Sequence, residues 1–373
     1  MDERTINGLR PLRVFALTTE QSAEAILKKV LEPLRSEFSD IYVEGVVSRE
    51  FPKSEIKPFL SSDSLKIMGL IDVILSLPRI LNIQNKIKKR ILEGDFDIVL
   101  TVDSSSFHLP LVESLKKAGC TAKFVHAVCP PIWAYRPKRK PRIARTFDLL
   151  LPLFKFEAPL FNDTPLASFW IGHPFQDYAP VKKGEEETIL LIFPGSREKV
   201  IKRNLPLQLA AARQFPYKIL ISVSSLSSKK LIEKMAPSIP TFEKIPPIEI
   251  LRQTKIALAT SGTITLELAL LGIKTVVTYK IPLIDAIAAK LAKMNVPFFA
   301  LPNLLAKKEI YIELIHPFLT KKKLVDAIRT TLDQKKPIPV DLLRAQIKTE
   351  HTGKELVNKI IENTPFMRHS TRS

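Results

Sequence analysis

The stretch from Lys255 to Tyr279, KIALATSGTITLELALLGIKTVVTY, constrains the fold more than any other part of the chain. An apolar run is followed by the turn Ser261-Gly262-Thr263, an apolar helical pattern, Gly272 and a second run of β-branched residues. Short apolar runs of this kind are typical of buried strands, and a helix between two of them is typical of a parallel sheet. The stretch therefore predicts a strand, a loop, a helix and a strand.

The turn that opens this helix is suited to an anion. The first N–H groups of a helix have no partner within it, and the helix dipole favours negative charge at that end. A nucleotide diphosphate could bind at Ser261, Gly262 and Thr263, although for this loop taken singly a capped turn without a ligand is the preferred interpretation. A second strand-to-helix loop, Pro194-Gly195-Ser196-Arg197, follows the apolar run 188–193, and Arg197 adds a fork of hydrogen-bond donors. A capped turn without a ligand is the alternative for each loop alone, but two such loops in one half of the chain favour phosphate binding.

The length and the charge of the chain limit its possible functions independently of any motif. The chain has 373 residues, of which 45% are hydrophobic, so it can bury two cores and predicts two domains. Its formal net charge of +19 predicts an anionic partner, which could be nucleic acid, a membrane surface or a phosphorylated substrate. Cys120 and Cys129 form no disulfide framework, which is typical of a reducing cytosol, and with 6 His residues we expect no metal centre.

Strand and helix patterns alternate along the chain, which predicts an α/β fold with parallel sheets. A polar linker, 181–187, separates two sets of these patterns. We therefore predict a first domain at 1–180, a second domain at 186–340, a C-terminal helix at 341–363 that packs back on the first domain, and a disordered tail at 364–373.

The N-terminal residues show no signal peptide, and no apolar run is long enough to span a bilayer. The most hydrophobic segment, Ile67 to Leu81, is interrupted by Asp72, Pro78 and Arg79. Two interpretations stay open for it, a helix buried in the core and an amphipathic surface that admits acyl chains, and we prefer the first.

Two polar residues follow predicted strands of the first domain. Asp103 comes directly after the run Ile98–Val102, so it should lie at the carboxyl edge of a parallel sheet, where active sites gather. It could be a general base or a structural turn residue. His126 also follows an apolar run and could be catalytic or simply buried, and His173 could be a hinge residue.

A basic segment with aromatic residues runs from Cys129 to Asp148 and includes Trp133, Arg136 and Arg139. Such a composition can bind single-stranded nucleic acid. Its prolines and the apolar segment of the same domain favour instead a loop over an anionic substrate or membrane headgroups. A solvated surface is the third interpretation.

The chain as a whole resembles the lipid-A-disaccharide synthases. The motifs that carry the resemblance span almost the whole chain and are IMGLIDV from Ile67, the strand that ends at Asp103, HAVCPPIWAYR from His126, LFKFE from Leu153, WIGHPF from Trp170, PGSR from Pro194, SGTITLELALLG from Ser261 and LPNLLA from Leu301. The resemblance implies a GT-B fold, in which two Rossmann-like domains with parallel sheets face each other across a cleft.

The resemblance also implies a reaction and its residues. UDP-2,3-diacylglucosamine would be the donor and 2,3-diacylglucosamine 1-phosphate (lipid X) the acceptor of an inverting transfer that uses no metal or cofactor. Asp103 matches the proposed base, with His126 as a second catalytic candidate. The implied UDP-sugar site comprises Gly195, Ser196, Arg197, Ser261, Gly262, Thr263, Glu267 and Asn303. Glu267 would meet a ribose hydroxyl, although Glu267 and Asn303 could equally be helix or loop contacts.

By the same resemblance, the protein would be cytoplasmic and peripheral on the inner membrane, with an acceptor and membrane surface at Met68, Trp133, Arg136 and Arg139. An anionic membrane surface is the expected partner, nucleic acid is not, and a homodimer stays open.

Several positions depart from the family pattern. The segment 18–24 lacks two glycines that the family has there, so close backbone approach to a ligand is harder. Ser106 and His108 replace an acid and an amide, and Val200 and Lys307 stand where a glutamate and a glycine are usual. Two further functions therefore stay open, a related GT-B enzyme with another acceptor and a non-catalytic lipid-binding paralogue.

Overall fold

The computed structural model describes residues 10–65, 69–134, 136–184, 186–281, 297–362 and 364. It divides into two compact units, of which the first comprises Met1–Pro174 and Ile347–Ser373 and the second Phe175–Gln346. Each unit is built on a parallel sheet, as the alternating pattern predicts.

The first unit contains a seven-stranded sheet in the order β3-β2-β1-β4-β5-β6-β7. The strands are β1 Leu12–Thr18, β2 Ile41–Val47, β3 Lys57–Ser61, β4 Ile98–Val102, β5 Lys123–Ala127, β6 Leu149–Leu151 and β7 Ala167–Ser168. Helices α1 Glu24–Glu37, α2 Gly69–Glu93, α3 Ser105–Lys117 and α4 Lys140–Thr146 connect them. The inner strand β4 is buried along its whole length and β1 is buried except at Arg13, which explains their largely apolar sequences. Gly119 ends α3 with a φ of +80°, as expected for a glycine that follows a helix.

The second unit contains a six-stranded sheet in the order β10-β9-β8-β11-β12-β13. The strands are β8 Ile189–Phe193, β9 Lys218–Val223, β10 Thr241–Glu243, β11 Thr254–Ala259, β12 Thr275–Tyr279 and β13 Glu313–Ile315. The helices are α5 Glu198–Ala212, α6 Leu226–Met235, α7 Ile248–Arg252, α8 Thr263–Leu270, α9 Leu301–Ala306, α10 Lys321–Asp333 and α11 Val340–Ile347. The predicted strand, loop, helix and strand of the opening motif are thus β11, the turn, α8 and β12.

The chain enters the second unit at Phe175, before the linker that the sequence indicates at 181–187. The reason is that Tyr178 and Val181 already pack in the core of the second unit, and the Val181 N–H donates to the Leu271 carbonyl at 3.0 Å. A polar segment therefore marks a domain boundary only where the apolar residues before it do not already belong to the core of the next domain.

The C-terminal region forms two helices where we predicted one at 341–363. The helix α11 ends at Ile347, and α12 begins anew as Gly353–Ile361. Thr352 starts the second helix, because its hydroxyl accepts from the Glu355 N–H at 3.2 Å while the Glu355 carboxylate accepts from the Thr352 N–H at 2.7 Å. This reciprocal cap is a helix-start signal. The α12 helix packs against α1 of the first unit, and the predicted tail beyond residue 364 lies outside the described residues.

The helix α2 begins at Gly69 and includes the rest of the apolar segment 67–81, whose residues 67 and 68 lie outside the described residues. Leu77 and Leu81, one turn apart, are each half exposed. Among the helices that the structure describes, none has the length and apolar character needed to cross a bilayer.

Candidate functional site

The two candidate phosphate loops lie next to each other in the second unit. Strand order reverses between β8 and β11, because the chain first builds β9 and β10 on one side of β8 and then returns to add β11 on the other. The two strands are paired in parallel, with Phe193 opposite Ala259. Their loops therefore leave the same edge side by side, at a topological switch point, which is where open α/β sheets bind ligands.

The first loop depends on a glycine. Gly195 has a φ of +102°, and a Cβ built on it would lie 2.9 Å from Val200 Cγ1 and 3.1 Å from Thr260 Oγ1. Both the backbone conformation and the packing therefore require glycine. Val200, where the resemblance implies a glutamate, is buried beneath this loop, and its side chain limits the space at Gly195. Ser196 and Arg197 are exposed, and Arg197 directly precedes α5.

The second loop leads into α8 and has open space beside Gly262. Gly262 has an extended backbone, and a Cβ added to it would meet no atom within 4 Å. Thr263 is exposed beside it, and the Ser261 hydroxyl donates to the Phe299 carbonyl at 3.3 Å. The space above Gly262 is therefore available to an anion that binds the first N–H groups of α8.

Glu267 lies one turn after Thr263 on α8. Tyr178 donates its hydroxyl to Glu267 Oε1 at 2.8 Å. Burial raises the pKa of Glu267, and the hydrogen bond from Tyr178 opposes that rise. Sequence reasoning missed Tyr178, which precedes the predicted second domain.

The structure favours a loop contact for Asn303 over the predicted contact with UDP. Its side chain is fully buried. Its amide donates to the Tyr311 carbonyl at 2.7 Å and to Glu313 at 2.8 Å, and its oxygen accepts from the N–H groups of Ile310 and Tyr311. All its hydrogen-bonding capacity is thus used by the loop before β13. The adjacent Lys307 takes a φ of +54° where the family has glycine.

Asp103 lies at the corresponding edge of the first sheet. Strand order reverses between β1 and β4 there as well, and Asp103 directly follows β4. The side chain is exposed, while its N–H donates to the Ala127 carbonyl at 2.9 Å. Asp103 and Ser104 have φ values of +58° and +41°, so two consecutive residues adopt the left-handed conformation. Such strain clusters at functional sites.

Thr19 occupies the same edge. Its hydroxyl forms a hydrogen bond with the Ser104 hydroxyl, and the Thr18 hydroxyl donates to the Val46 carbonyl at 3.1 Å. The segment 18–24, which lacks the family's two glycines, is therefore held by side-chain hydrogen bonds. These side chains occupy space at the sheet edge that glycines would leave open.

His126 is fully buried, which favours the structural interpretation over the catalytic one. Its Nδ1 forms a hydrogen bond with Thr101 at 2.8 Å, and its ring stacks on Phe147. His108 is also fully buried, with its ring centroid 6.0 Å from that of His126. Burial lowers the pKa of His108 to about 3 and that of His126 well below its usual value. Both rings are therefore neutral, and catalysis by His126 stays a prediction that its burial does not favour.

The predicted acceptor and membrane surface is described in part. Met68 lies outside the described residues, Arg136 is exposed with a φ of +56°, and Arg139 is partly exposed. Trp133 donates its indole N–H to Glu157 at 3.3 Å. Burial raises the pKa of Glu157 to about 8. This buried carboxyl group is a further residue that sequence reasoning did not single out, although it ends the motif LFKFE.

The basic segment is partly neutralised within the first unit. Arg142 makes two hydrogen bonds with Glu113, at 2.6 and 2.7 Å, and Lys140 pairs with Asp163. In the parts of the chain that the structure describes, no three His, Cys, Asp or Glu residues form a group that could hold a metal ion.

Comparison with known sequences identifies a family and several relatives. A family model described as lipid-A-disaccharide synthetase matches residues 14–360. A lipid-A-disaccharide synthase of Chlamydia muridarum is 31% identical over 322 residues, which cover 81% of this chain and 53% of that protein. One of Chromobacterium violaceum is 28% identical over 343 residues, which cover 85% of this chain and 87% of that protein. The chain thus spans about half the length of the chlamydial relatives.

Solved structures agree on the fold. MurG of Acinetobacter baumannii superposes with a TM-score of 0.55 at 13% identity, covering 94% of this chain and 100% of its own. UGT89C1 of Arabidopsis thaliana, solved with UDP-L-rhamnose, superposes with a TM-score of 0.59 at 12% identity, covering 95% of this chain and 99% of its own. Together with the two parallel-sheet domains, these similarities identify a GT-B fold.

Proposed function

The chain belongs to the lipid-A-disaccharide synthetase family, and from that premise we propose that it condenses UDP-2,3-diacylglucosamine with 2,3-diacylglucosamine 1-phosphate. The products would be the β-1,6-linked disaccharide 1-phosphate and UDP. The observation that carries the proposal is the pair of loops at Gly195 and Gly262, which leave adjacent strands at the switch point of the second sheet.

The donor diphosphate has a suitable environment at these loops. Gly262 leaves space in front of the first turn of α8, and Arg197 brings a positive charge to the neighbouring loop. Both features stabilise the negative charge that develops on UDP as its bond to the sugar breaks. Glu267, on the same helix as the turn, would accept a hydrogen bond from the ribose.

Asp103 is the residue that we assign as the base. Its exposed carboxylate at the carboxyl edge of the first sheet can accept the proton of the acceptor 6-hydroxyl. The hydroxyl oxygen then attacks C1 of the donor sugar from the face opposite UDP, and the electrons of the broken bond leave with the diphosphate. At C1 one C–O bond is formed and one broken, with inversion, and the proton of the acceptor hydroxyl ends on Asp103.

The membrane would supply the acylated substrates to the first unit. The half-exposed Leu77 and Leu81 offer an apolar surface on α2, and exposed cations such as Arg136 and Lys138 offer charge for anionic headgroups.

One observation favours a second candidate function, a GT-B enzyme with another acceptor. The bonded side chains of Thr19 and Ser104 occupy the edge beside Asp103, where the family's glycines would leave room. Turnover with a different sugar or lipid acceptor, and none with lipid X, would identify that alternative.

The test is detection of the disaccharide by mass spectrometry, with both substrates in mixed micelles. We expect product with the wild type and a loss of turnover of about 10²- to 10⁴-fold in Asp103→Asn, with UDP affinity unchanged, because asparagine keeps the left-handed backbone but cannot take the proton. Asp95→Asn is the matched control, since Asp95 is also exposed with a positive φ, of +46°, but lies at the opposite edge, before β4. Equal loss in both variants would contradict the assignment of the base.

A further inference from the structure

The contact between Tyr178 and Glu267 extends the proposed donor site. Tyr178 lies in the segment before β8, and its hydroxyl donates to Glu267 Oε1 at 2.8 Å. We propose that Tyr178 is a positioning residue, which holds the Glu267 carboxylate so that its second oxygen accepts a hydrogen bond from a ribose hydroxyl of UDP. This inference rests on the proposed function and names how the donor site distinguishes a ribonucleotide from a deoxyribonucleotide.

The carboxylate of Glu267 depends on this hydrogen bond. Burial raises its pKa, and the bond from Tyr178 is the largest of the interactions that lower it, ahead of the charge of Lys244. Among the described residues, no lysine or arginine forms an ion pair with Glu267. The Tyr178 hydroxyl is therefore the main group that opposes the effect of burial on the Glu267 carboxylate.

One oxygen of Glu267 remains available for a ligand. Oε1 accepts from Tyr178, whereas Oε2 receives no hydrogen bond from the described residues and is not among their fully buried unpaired atoms, so it keeps contact with solvent. Residues four apart lie on the same face of a helix, so Glu267 and Thr263 share one face of α8. A nucleotide whose diphosphate lies at the Gly262 turn would bring its ribose to this face.

Tyr178 is itself well fixed. Its carbonyl accepts from the Arg344 guanidinium at 2.9 Å, its N–H donates to the Phe175 carbonyl at 3.1 Å, and its ring stacks on Phe175. Burial and the bond to Glu267 raise the pKa of Tyr178, so its hydroxyl keeps the proton that it donates. Because Tyr178 is held in place, its hydrogen bond restricts the Glu267 side chain before the nucleotide binds. Less side-chain entropy is then lost on binding.

The experiment is titration calorimetry of the full chain with UDP, 2′-deoxy-UDP and 3′-deoxy-UDP. In Tyr178→Phe we expect UDP affinity to fall about three- to tenfold, the range of one hydrogen bond. The deoxy analogue that lacks the contacted hydroxyl should bind the variant and the wild type equally. Discrimination between UDP and that analogue would therefore shrink by the same factor, which a purely structural role would not produce.

Two further variants complete the test. Tyr311→Phe is the matched control, because it removes a 2.7 Å hydrogen bond from a second tyrosine of the same unit and should lower stability without changing discrimination. In the background of Glu267→Ala, Tyr178→Phe should have no further effect on discrimination. Thermal melting would establish that each variant is folded.

The possible failures are distinguishable. If the wild type binds UDP but does not discriminate against either deoxy analogue, or if Tyr178→Phe weakens all three ligands equally, the positioning role is overturned while the proposed function stands. If the wild type binds no UDP, the proposed function fails and this inference fails with it.

Discussion

At the scale of single residues, burial separates the candidates that sequence alone treats alike. Asp103 and Arg197 are exposed at sheet edges, whereas Asn303 and His126 are fully buried. Asn303 cannot contact a ligand without losing the hydrogen bonds that it already makes. The His126 ring, whose Nε2 has no hydrogen-bond partner among the described residues, is kept from a ligand by its burial. Motif matching selects both kinds of residue, because a position can be retained for the loop it holds as well as for the ligand it binds.

The buried pair of His108 and His126 predicts a specific acid sensitivity. Folding keeps both rings neutral, since burial lowers their pKa values, while an unfolded histidine titrates near its usual value. The unfolded state therefore binds more protons as pH falls below about 6.5, so stability is lost on acidification through that pH. For His108 the loss between pH 7 and pH 5 is about 2 kcal/mol.

We expect His108→Asn to flatten the dependence of unfolding free energy on pH between 5 and 7, measured by urea denaturation. Leu109→Ala is the control, because it removes a buried neighbour of His108 on α3 without removing a titratable group, and the slope should be unchanged. An unaltered slope in His108→Asn would contradict the neutral buried ring.

At the scale of elements, each candidate loop combines a buried strand end with a helix start, and the two loops use glycine differently. Gly195 is required by its positive φ and by its contact with Val200. Gly262 is extended and faces open space. The first glycine therefore maintains the fold of its loop, and the second leaves room for a ligand.

Alanine at the two glycines should give opposite results. We expect Gly195→Ala to lower the unfolding free energy by about 1–3 kcal/mol, because both the backbone and Val200 must shift. Val200→Ala in the same chain should recover part of the contact strain. Gly262→Ala should leave stability within about 0.5 kcal/mol of the wild type and weaken UDP binding, because its methyl group enters the space in front of α8. Thermal melts and UDP titration measure both effects, and a large stability loss in Gly262→Ala would refute the distinction.

At the scale of the whole molecule, both units repeat one topology. In each, the first strand lies inside the sheet, the next two strands extend to one side and the later strands to the other. Each unit therefore has its own switch point, with Asp103 at one and the two phosphate loops at the other. The same folding pattern thus gives each unit a sheet edge of the kind at which open α/β sheets bind ligands.

The net charge of +19 and the exposed leucines of α2 predict binding to anionic membranes. We expect the protein to sediment with vesicles that contain anionic lipid, more weakly at high salt, and hardly at all with neutral vesicles. Leu77→Glu with Leu81→Glu should reduce binding about tenfold or more, since buried apolar area is lost and repulsion added. Leu226→Glu with Leu342→Glu is the matched control, because it makes the same two changes at exposed leucines of the second unit. Equal binding by all three proteins would exclude α2 from the membrane contact.

The sequence by itself determined the α/β class, the strand, loop, helix and strand of residues 255–279, and the family, because buried strand runs and glycine turns are local patterns. It could not determine that the chain joins the second unit already at Phe175, that 341–363 forms two helices, or that Asn303 and His126 are buried. Nor could it show that Tyr178 meets Glu267, since those residues are far apart in the chain. Periodicity and turn chemistry report on neighbours in sequence, whereas burial and hydrogen-bond partners depend on which distant segments the sheet order brings together.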